Sequence, residues 1–322
     1  MGLHASPSAA GARRKGPRKF WAPLGLVGAL AVVGLLLGVQ VATAAPPSVP
    51  GATFIGSEQC KGCHEDLAKK MEHSLHGKLL GTKLSHTDLQ RRGCEACHGP
   101  GSKHLEDPAN PAFNLRFGKK SPLAATDKNA VCLQCHQRGK RILWQGSPHE
   151  ARDVACATCH SVHAPQTEKG QLQKATQTDL CSQCHQVKAM QFQRSSHMPV
   201  KEGKLTCTRC HNPHGTTTEK PITAISINEG CTTCHADKRG PFLWEHAPVV
   251  ESCLNCHQAH GSNNAPLMRV KQPRLCQQCH VETRHPTQPY PVNDRKVFNR
   301  SCVNCHPNIH GSNHPSGVFF TR

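Results

Sequence analysis

The sequence predicts a mostly irregular chain with short α-helices, little or no β-structure, and an interior that side chains alone do not build. Of the 322 residues, 36% are hydrophobic and 4% aromatic, and much of the apolar content lies near the N-terminus. Such a composition buries too little apolar surface to offset the entropy of ordering the chain. Twenty cysteines and 24 histidines indicate an interior built from cofactors rather than a disordered chain.

Every cysteine belongs to one repeated pattern, Cys-x-x-Cys-His, which occurs ten times. The pattern attaches a c-type haem: both thiols bond to the haem vinyl groups, and the histidine becomes the proximal iron ligand. The predicted haem-bearing cysteines are Cys60, Cys63, Cys94, Cys97, Cys132, Cys135, Cys156, Cys159, Cys181, Cys184, Cys207, Cys210, Cys231, Cys234, Cys253, Cys256, Cys276, Cys279, Cys302 and Cys305. The predicted proximal ligands are His64, His98, His136, His160, His185, His211, His235, His257, His280 and His306.

Structural zinc and a disulfide framework are the competing interpretations of paired cysteines. Zinc uses Cys-x-x-Cys pairs but does not need a histidine after each one, and disulfides give no reason for the histidines. Ten complete motifs with no cysteine left over favour an elongated decahaem cytochrome c with a core of stacked haems.

Histidine is also the predicted sixth ligand, because the chain has five methionines in all, one of them the initiator. Thirteen histidines outside the leader are not proximal, and ten of them recur periodically around paired motifs. The predicted distal ligands are His76, His104, His149, His163, His197, His214, His246, His260, His285 and His310. His73, His86 and His314 remain as spares, with His314 a rival to His310 and His73 a weaker rival to His76.

The spacing divides the chain into five di-haem units that begin at Cys60, Cys132, Cys181, Cys231 and Cys276. In CHSVH, His163 follows His160 too closely to reach the far face of the same haem. We therefore expect His163 to serve a neighbouring haem, while the partners of the other distal histidines stay open. Residues 64–80 have helical periodicity, whereas the Pro- and Gly-containing segment between His98 and Cys132 favours an extended loop.

The N-terminus predicts export. Five basic residues precede a long apolar run that ends at Ala42-Thr43-Ala44, so we interpret residues 1–44 as a signal peptide, with an uncleaved anchor as the alternative. Removing those five residues lowers the formal charge from +18 to +13. Haem carboxylates would more than cancel the remainder, so a nucleic-acid partner is not expected.

FIGSEQCKGCH followed by SLHG, the CHGPGSKH segment and the ending CHPNIHGSNHPSG resemble the MtrA/DmsE family of periplasmic decahaem cytochromes. The resemblance covers essentially the whole mature chain. It implies two pentahaem modules, 45–200 and 201–322, with ten bis-histidine c-type haems. It also implies insertion into an outer-membrane β-barrel porin, with periplasmic or inner-membrane cytochromes and a surface multihaem cytochrome as further electron partners.

Three functions are open on the sequence. The expected one is an electron conduit across the periplasm and outer membrane, in metal reduction or iron oxidation, since a chain of haems spans a layer of about 40 Å and a porin would shield its charges from lipid. A freely diffusing periplasmic carrier is the alternative. A multihaem reductase is disfavoured, because the histidine supply exceeds the demand and leaves no open iron evident.

Overall fold

The computed structural model describes residues 45–281 and 301–321. The predicted leader, 1–44, and the predicted ligand His285 lie outside these ranges. The described residues from Ala45 onward fall within a single unit, Ala44–Arg322. The division into modules 45–200 and 201–322 stays a prediction.

Short helices joined by turns make up the described chain. The α-helices span Ser57–Cys63, Glu65–Glu72, Leu75–Leu79, Asp88–Arg91, Glu95–His98, Ser102–Glu106, Ala125–Leu133, Cys156–Cys159, Gln177–Cys181, Gln186–Gln191, Ile227–Thr232, Ala247–Glu251 and Arg274–Gln277. The 3₁₀ turns span Pro111–Phe113, Gly139–Arg141, Glu150–Arg152, Cys207–Arg209, Ala236–Lys238, Cys253–Asn255, Cys302–Asn304 and Gly317–Phe319. Extended pairing in 45–281 and 301–321 is limited to isolated bridges such as His160 with Leu172, so the predicted fold class is confirmed.

The helical stretch predicted over residues 64–80 forms two helices rather than one. The first helix ends at Glu72, and Ser74 caps the second, with its Oγ accepting from Gly77 N–H at 3.0 Å. A side chain at position 77 would place its Cβ 2.0 Å from the Met71 carbonyl oxygen. Glycine at 77 therefore lets the second helix fold back closely and present His76.

The only hydrophobic cluster in the described ranges is small. Val49, Leu115 and Val131 form its buried centre, and Phe113 and Phe117 pack against it. Much of it comes from the segment after His98, so the prediction of an extended loop there is wrong in part. The segment contains Ser102–Glu106, Pro111–Phe113 and most of Ala125–Leu133, because its few apolar residues have a core to join.

None of the described helices has the length and apolarity needed to cross a bilayer.

Candidate haem sites

Each of the ten Cys-x-x-Cys-His motifs closes one helical turn. The histidine N–H donates to the carbonyl of the first cysteine at 2.9 to 3.1 Å in all ten, from His64 to Cys60 through His306 to Cys302. Residues three apart lie on the same side of a helical turn. Both thiols of a motif can therefore reach one edge of a porphyrin, and the histidine that follows lies beside them.

The five di-haem units recur as pairs of contacting motifs. In each unit the thiols of the two first cysteines lie within hydrogen-bonding reach of each other. These pairs are Cys60 with Cys94, Cys132 with Cys156, Cys181 with Cys207, Cys231 with Cys253, and Cys276 with Cys302. Each of these contacts joins the two motifs of one predicted unit.

In neighbouring units, second cysteines lie near enough to influence each other electrostatically. Burial, followed by the nearby thiol of Cys135, raises the pKa of Cys97 to about 11. The same two causes, burial and then the facing thiol of the next unit, raise the pKa of Cys159, Cys210 and Cys256. First-cysteine contacts within units thus alternate with electrostatic proximity of second cysteines between units, and the two relations run through all ten motifs in sequence order.

The structure brings eight predicted distal histidines against eight predicted proximal ones. The ring centroids of each pair lie 5.8 to 6.3 Å apart. The pairs are His64 with His104, His136 with His76, His98 with His163, His185 with His149, His160 with His214, His211 with His260, His280 with His246, and His257 with His310.

This separation fits a metal held between two imidazoles. A metal–imidazole bond is about 2 Å long, and the ring centre lies about 1 Å beyond the nitrogen, so two opposed imidazoles on one metal have centres about 6 Å apart. The residues present therefore fit a haem iron with an axial histidine on each face.

The hydrogen bonds of the imidazoles leave the iron-facing nitrogen available. Nδ1 of His98 lies 2.8 Å from the Leu115 carbonyl oxygen, and Nδ1 of His149 lies 2.8 Å from that of Pro213. Comparable bonds to main-chain carbonyls hold His160, His211, His257 and His306. An Nδ1–H that donates to a carbonyl fixes the tautomer whose Nε2 carries the lone pair for a metal.

Burial favours the neutral imidazole, which is the form that binds iron. Burial, followed by the charge of nearby His160, lowers the pKa of His214 to about 4. Burial, followed by Lys188, lowers the pKa of His260 to about 4. Burial also lowers the pKa of His98, His104, His136, His163, His246 and His310.

Two pairs are less regular in their hydrogen bonds. His104 Nδ1 is buried and has no hydrogen-bond partner among the described atoms. Burial lowers the pKa of His246, and the nearby Ile309 carbonyl partly offsets this effect by raising it. His246 Nδ1 nevertheless lacks a hydrogen bond of normal geometry in the described ranges.

His197 departs from the predicted arrangement. Its Nδ1 lies 2.6 Å from the Arg194 carbonyl oxygen, and its Nε2 lies 2.9 Å from Glu202 Oε1. Within 45–281 and 301–321 no ring contact joins it to a proximal histidine. The hydrogen bond that Glu202 accepts from His197 raises the pKa of His197. The carboxylate therefore occupies the nitrogen that an iron would need.

The remaining histidines are the three spares and His306, the proximal ligand of the last motif. His73 and His86 are exposed. His314 Nδ1 accepts from Ser316 N–H at 3.1 Å, so in the neutral ring Nε2 carries the proton, whereas His310 lies against His257. The geometry thus separates His310 from its rival. His306, whose Nδ1 lies 2.5 Å from the Phe319 carbonyl oxygen, has its predicted partner His285 outside the described ranges.

Close passage of the chain brings distal histidines to the preceding unit. A Cβ at Gly215, which follows His214, would lie 2.1 Å from the Leu143 carbonyl oxygen, and one at Gly261, which follows His260, 2.0 Å from that of Gln191. Both glycines have positive φ, 108° and 142°. Glycine after the histidine therefore permits the backbone contact that carries the imidazole across the unit boundary.

A recurrent hydrogen bond inside each unit, here called a clamp, was not predicted from the sequence. A polar side chain three or four residues before the first cysteine of the unit bonds to the start of the second motif. The clamps are Ser57 to Cys94, Asn129 to Cys156, Gln177 to Thr208, Asn228 to Cys253, and Gln272 to Ser301. The signal was the polar residue at this position in all five units, hidden because its type and offset vary.

Comparisons with known proteins place the chain in a class. A family model for the doubled CXXCH motif matches residues 197–240 and 246–285, and a model for NrfB-like cytochrome c-type proteins matches residues 94–184. The chain is a multihaem c-type cytochrome with covalently bound haem, and it functions in electron transfer.

The similarity to one multihaem cytochrome extends over most of the chain. The chain is 44% identical over 279 residues to the multihaem cytochrome MtrA of Shewanella baltica (strain OS185), covering 83% of this chain and 81% of that protein. It belongs to the MtrA family. The cytochrome c-type protein NrfB of Haemophilus influenzae is 29% identical over 40% of this chain and 64% of its own length. The high-molecular-weight cytochrome c of Nitratidesulfovibrio vulgaris is 21% identical over 77% of this chain and 46% of its own length.

Proposed function

We propose that all ten motifs carry a covalently attached haem and that two histidines ligate each iron. The 5.8 to 6.3 Å spacing of the eight ring pairs is the observation that carries the proposal. The ligand sets are those eight pairs, to which we add His197 with His235 and His285 with His306.

One rule generates nearly all of this assignment. The second-motif site of a unit receives its distal histidine from the next unit, as His98 does from His163. The first-motif site of that next unit receives its distal histidine from the unit before, as His136 does from His76. His197 with His235 continues the rule, and this pair requires His197 Nε2 to leave Glu202 for the iron.

The rule leaves one site at each end without a neighbour to supply it. At the N-terminal end His104 pairs with His64 of its own unit. At the other end the same solution assigns His285 to His306. This symmetry supports the one pair that falls outside the described residues.

The proposed activity is the relay of electrons through the series of motifs. Bound haem supplies one-electron exchange at iron. The chain's own contribution is to fix one imidazole in five of the eight pairs through a main-chain carbonyl and to keep successive motifs close together. Axial ligands that are held in place keep the reorganisation energy of electron transfer small. Closely packed motifs keep the distance of each electron-transfer step short.

We further propose that this relay crosses the periplasm and outer membrane inside a porin partner, in metal reduction or iron oxidation. Export to the periplasm follows from the predicted leader. Its electron partners would be a periplasmic or inner-membrane cytochrome on one side and a surface multihaem cytochrome on the other. Similarity to MtrA over 83% of the chain, against 40% for NrfB, favours the conduit over a freely diffusing carrier. With two histidines at every iron, the protein would not act as an enzyme.

Two measurements test these proposals separately. Intact mass of the exported protein should give ten covalent haems and a start near Ala45; a smaller integer would overturn the motif assignment. Outer membranes solubilised in mild detergent should yield the cytochrome together with a large β-barrel protein. Recovery of all the cytochrome in the soluble periplasmic fraction would favour the diffusing carrier instead.

A further inference from the structure

We propose that Gln171 is a positioning residue for one haem: its side-chain amide oxygen holds the distal ligand His76 and lowers the reduction potential of the iron shared by His76 and His136. The inference rests on the proposed ligation. It goes beyond that proposal by assigning one haem's electronic properties to a single replaceable side chain.

The contact joins residues far apart in sequence. His76 Nδ1 lies 2.7 Å from Gln171 Oε1, across 95 positions of the chain. Because an amide oxygen only accepts, Nδ1 must carry the proton and donate it. The lone pair is then on Nε2, and the His76 ring centre lies 5.8 Å from that of His136.

The fold holds Gln171 in the position from which its amide oxygen accepts the hydrogen bond of His76. The residue is 7% exposed, and its backbone has φ of 47°, in the left-handed region that residues other than glycine, asparagine and aspartate seldom adopt. Its carbonyl accepts from Ser161 N–H at 2.8 Å. A buried glutamine kept in an unfavourable backbone conformation points to a constraint beyond packing.

The preceding residue anchors the adjacent site. The Gly170 carbonyl oxygen lies 2.6 Å from His160 Nδ1, the proximal histidine paired with His214. Consecutive residues of one turn thus hold imidazoles of two different sites, one through the main chain and one through a side chain.

Gln171 differs in kind from the other long-range acceptors. In the described part of the chain, the Nδ1 bonds of His98, His149, His160, His211 and His257 go to main-chain carbonyls, which substitution does not remove. The Asn212 side chain approaches His214 Nδ1, but at 3.3 Å and from two residues away. Gln171 is therefore the acceptor at which mutation can test tuning.

A stronger acceptor at Nδ1 makes an imidazole more basic, and a more basic ligand stabilises ferric over ferrous iron. Gln171→Glu replaces a neutral acceptor by a charged one and should lower the midpoint potential of this haem. Gln171→Leu removes the acceptor and should raise it. We expect a change of about tenfold in that haem's reduction equilibrium for the glutamate variant, which is about 59 mV for a one-electron couple.

The experiment uses the full holo-cytochrome with Gln171→Glu, Gln171→Leu, His76→Ala and the control Gln166→Glu. Gln166 is exposed in the same loop, so its variant introduces the same charge without touching a ligand. Haem number is read by mass, spin state by electron paramagnetic resonance, and individual midpoints by following haem-methyl NMR signals during a redox titration.

The proposal predicts one haem shifted in opposite directions by the two Gln171 substitutions, with ten low-spin haems retained and no such shift in the control. Unchanged midpoints, shifts of the same sign, or an equal shift in Gln166→Glu would overturn it. His76→Ala separates the two levels of inference. If it produces no high-spin iron, the ligand assignment fails; if it does so while the Gln171 variants are silent, only the role of Gln171 fails.

Discussion

Replacing His149 tests the rule that ligands cross unit boundaries. His149 lies in sequence close to the CATCH motif of its own unit, but its ring centre lies 6.0 Å from that of His185 in the next unit. His149→Ala should therefore leave ten covalent haems and convert the iron at Cys181 and Cys184 to the high-spin, five-coordinate form.

The expected size of the high-spin signal follows from the number of haem sites. One iron among ten should contribute about one tenth of the total haem signal as high-spin ferric iron, since one axial bond is lost. The substitution also removes the bond from Nδ1 to the Pro213 carbonyl at 2.8 Å, with a cost to stability of about 0.5–1.5 kcal/mol. A change of this size leaves the chain folded.

The assay is quantitative electron paramagnetic resonance of the oxidised protein, with intact mass as the haem count. Added imidazole should restore the low-spin signal, because it replaces the missing ligand. His86→Ala is the matched control: His86 is exposed, and its loss should leave every haem low-spin.

A second background identifies which haem responds. In a variant with Cys181 and Cys184 changed to serine, the responding haem is absent and nine remain. Adding His149→Ala there should produce no high-spin iron. A high-spin signal in that background, or an unchanged low-spin spectrum in the single variant, would refute the reasoning.

Two further predictions concern polar contacts near the haems. Asn228→Ala should reduce the free energy of unfolding by roughly 2–4 kcal/mol in chemical denaturation, because Asn228 bonds to the carbonyls of residues 249 and 250 and to the N–H of residue 253. Asn263→Ala is a control at an exposed residue and should change the free energy of unfolding by no more than about 0.5 kcal/mol. Equal losses in the two variants would contradict the clamp. Glu202 raises the pKa of His197, so their pairing is complete at low pH and disappears as pH rises through that raised pKa. Acidification should therefore make the His235 haem high-spin, and Glu202→Gln should move this transition to lower pH in an absorbance titration, whereas an unchanged midpoint would show that Glu202 does not compete for the ligand.

The repeated motifs predict a division into units from sequence alone. Each predicted unit contains two copies of a fixed covalent pattern, and the contacts between first cysteines, such as Cys60 with Cys94, lie inside the predicted units. The fold class was also predictable, because so little apolar side-chain material is present to form sheets or a large core.

The partner of each distal histidine was not readable in the same way. Spacing excluded His160 as the partner of His163, but nothing local specifies His98, which the folded chain brings to a ring distance of 5.8 Å. Likewise the bond from His76 to Gln171 depends on tertiary contact across 95 positions. Competition at His197 depends on Glu202, whose proximity the haem count does not reveal.

The clamps were not predictable from the sequence for a different reason. Ser57, Asn129 and Gln177 all accept a hydrogen bond from the second motif, yet they differ in side-chain length. A longer side chain compensates for an earlier position, so the shared geometry leaves no shared letter. Such equivalence appears only when the bonds themselves are compared.

The crossing of histidines between units bears on how such a chain changes length. Three of the four internal boundaries show the same two-way exchange, as between His98 and His163 or His136 and His76, and the fourth shows one half of it, between His211 and His260. The N-terminal unit closes on itself through His64 and His104. Under the proposed ligation, duplication of one internal unit would meet identical demands on both sides and leave no imidazole unmatched. Duplication or deletion of whole units in the gene would then lengthen or shorten the series of haems. A deletion that ended inside a unit would instead separate the two haems that its clamp holds together.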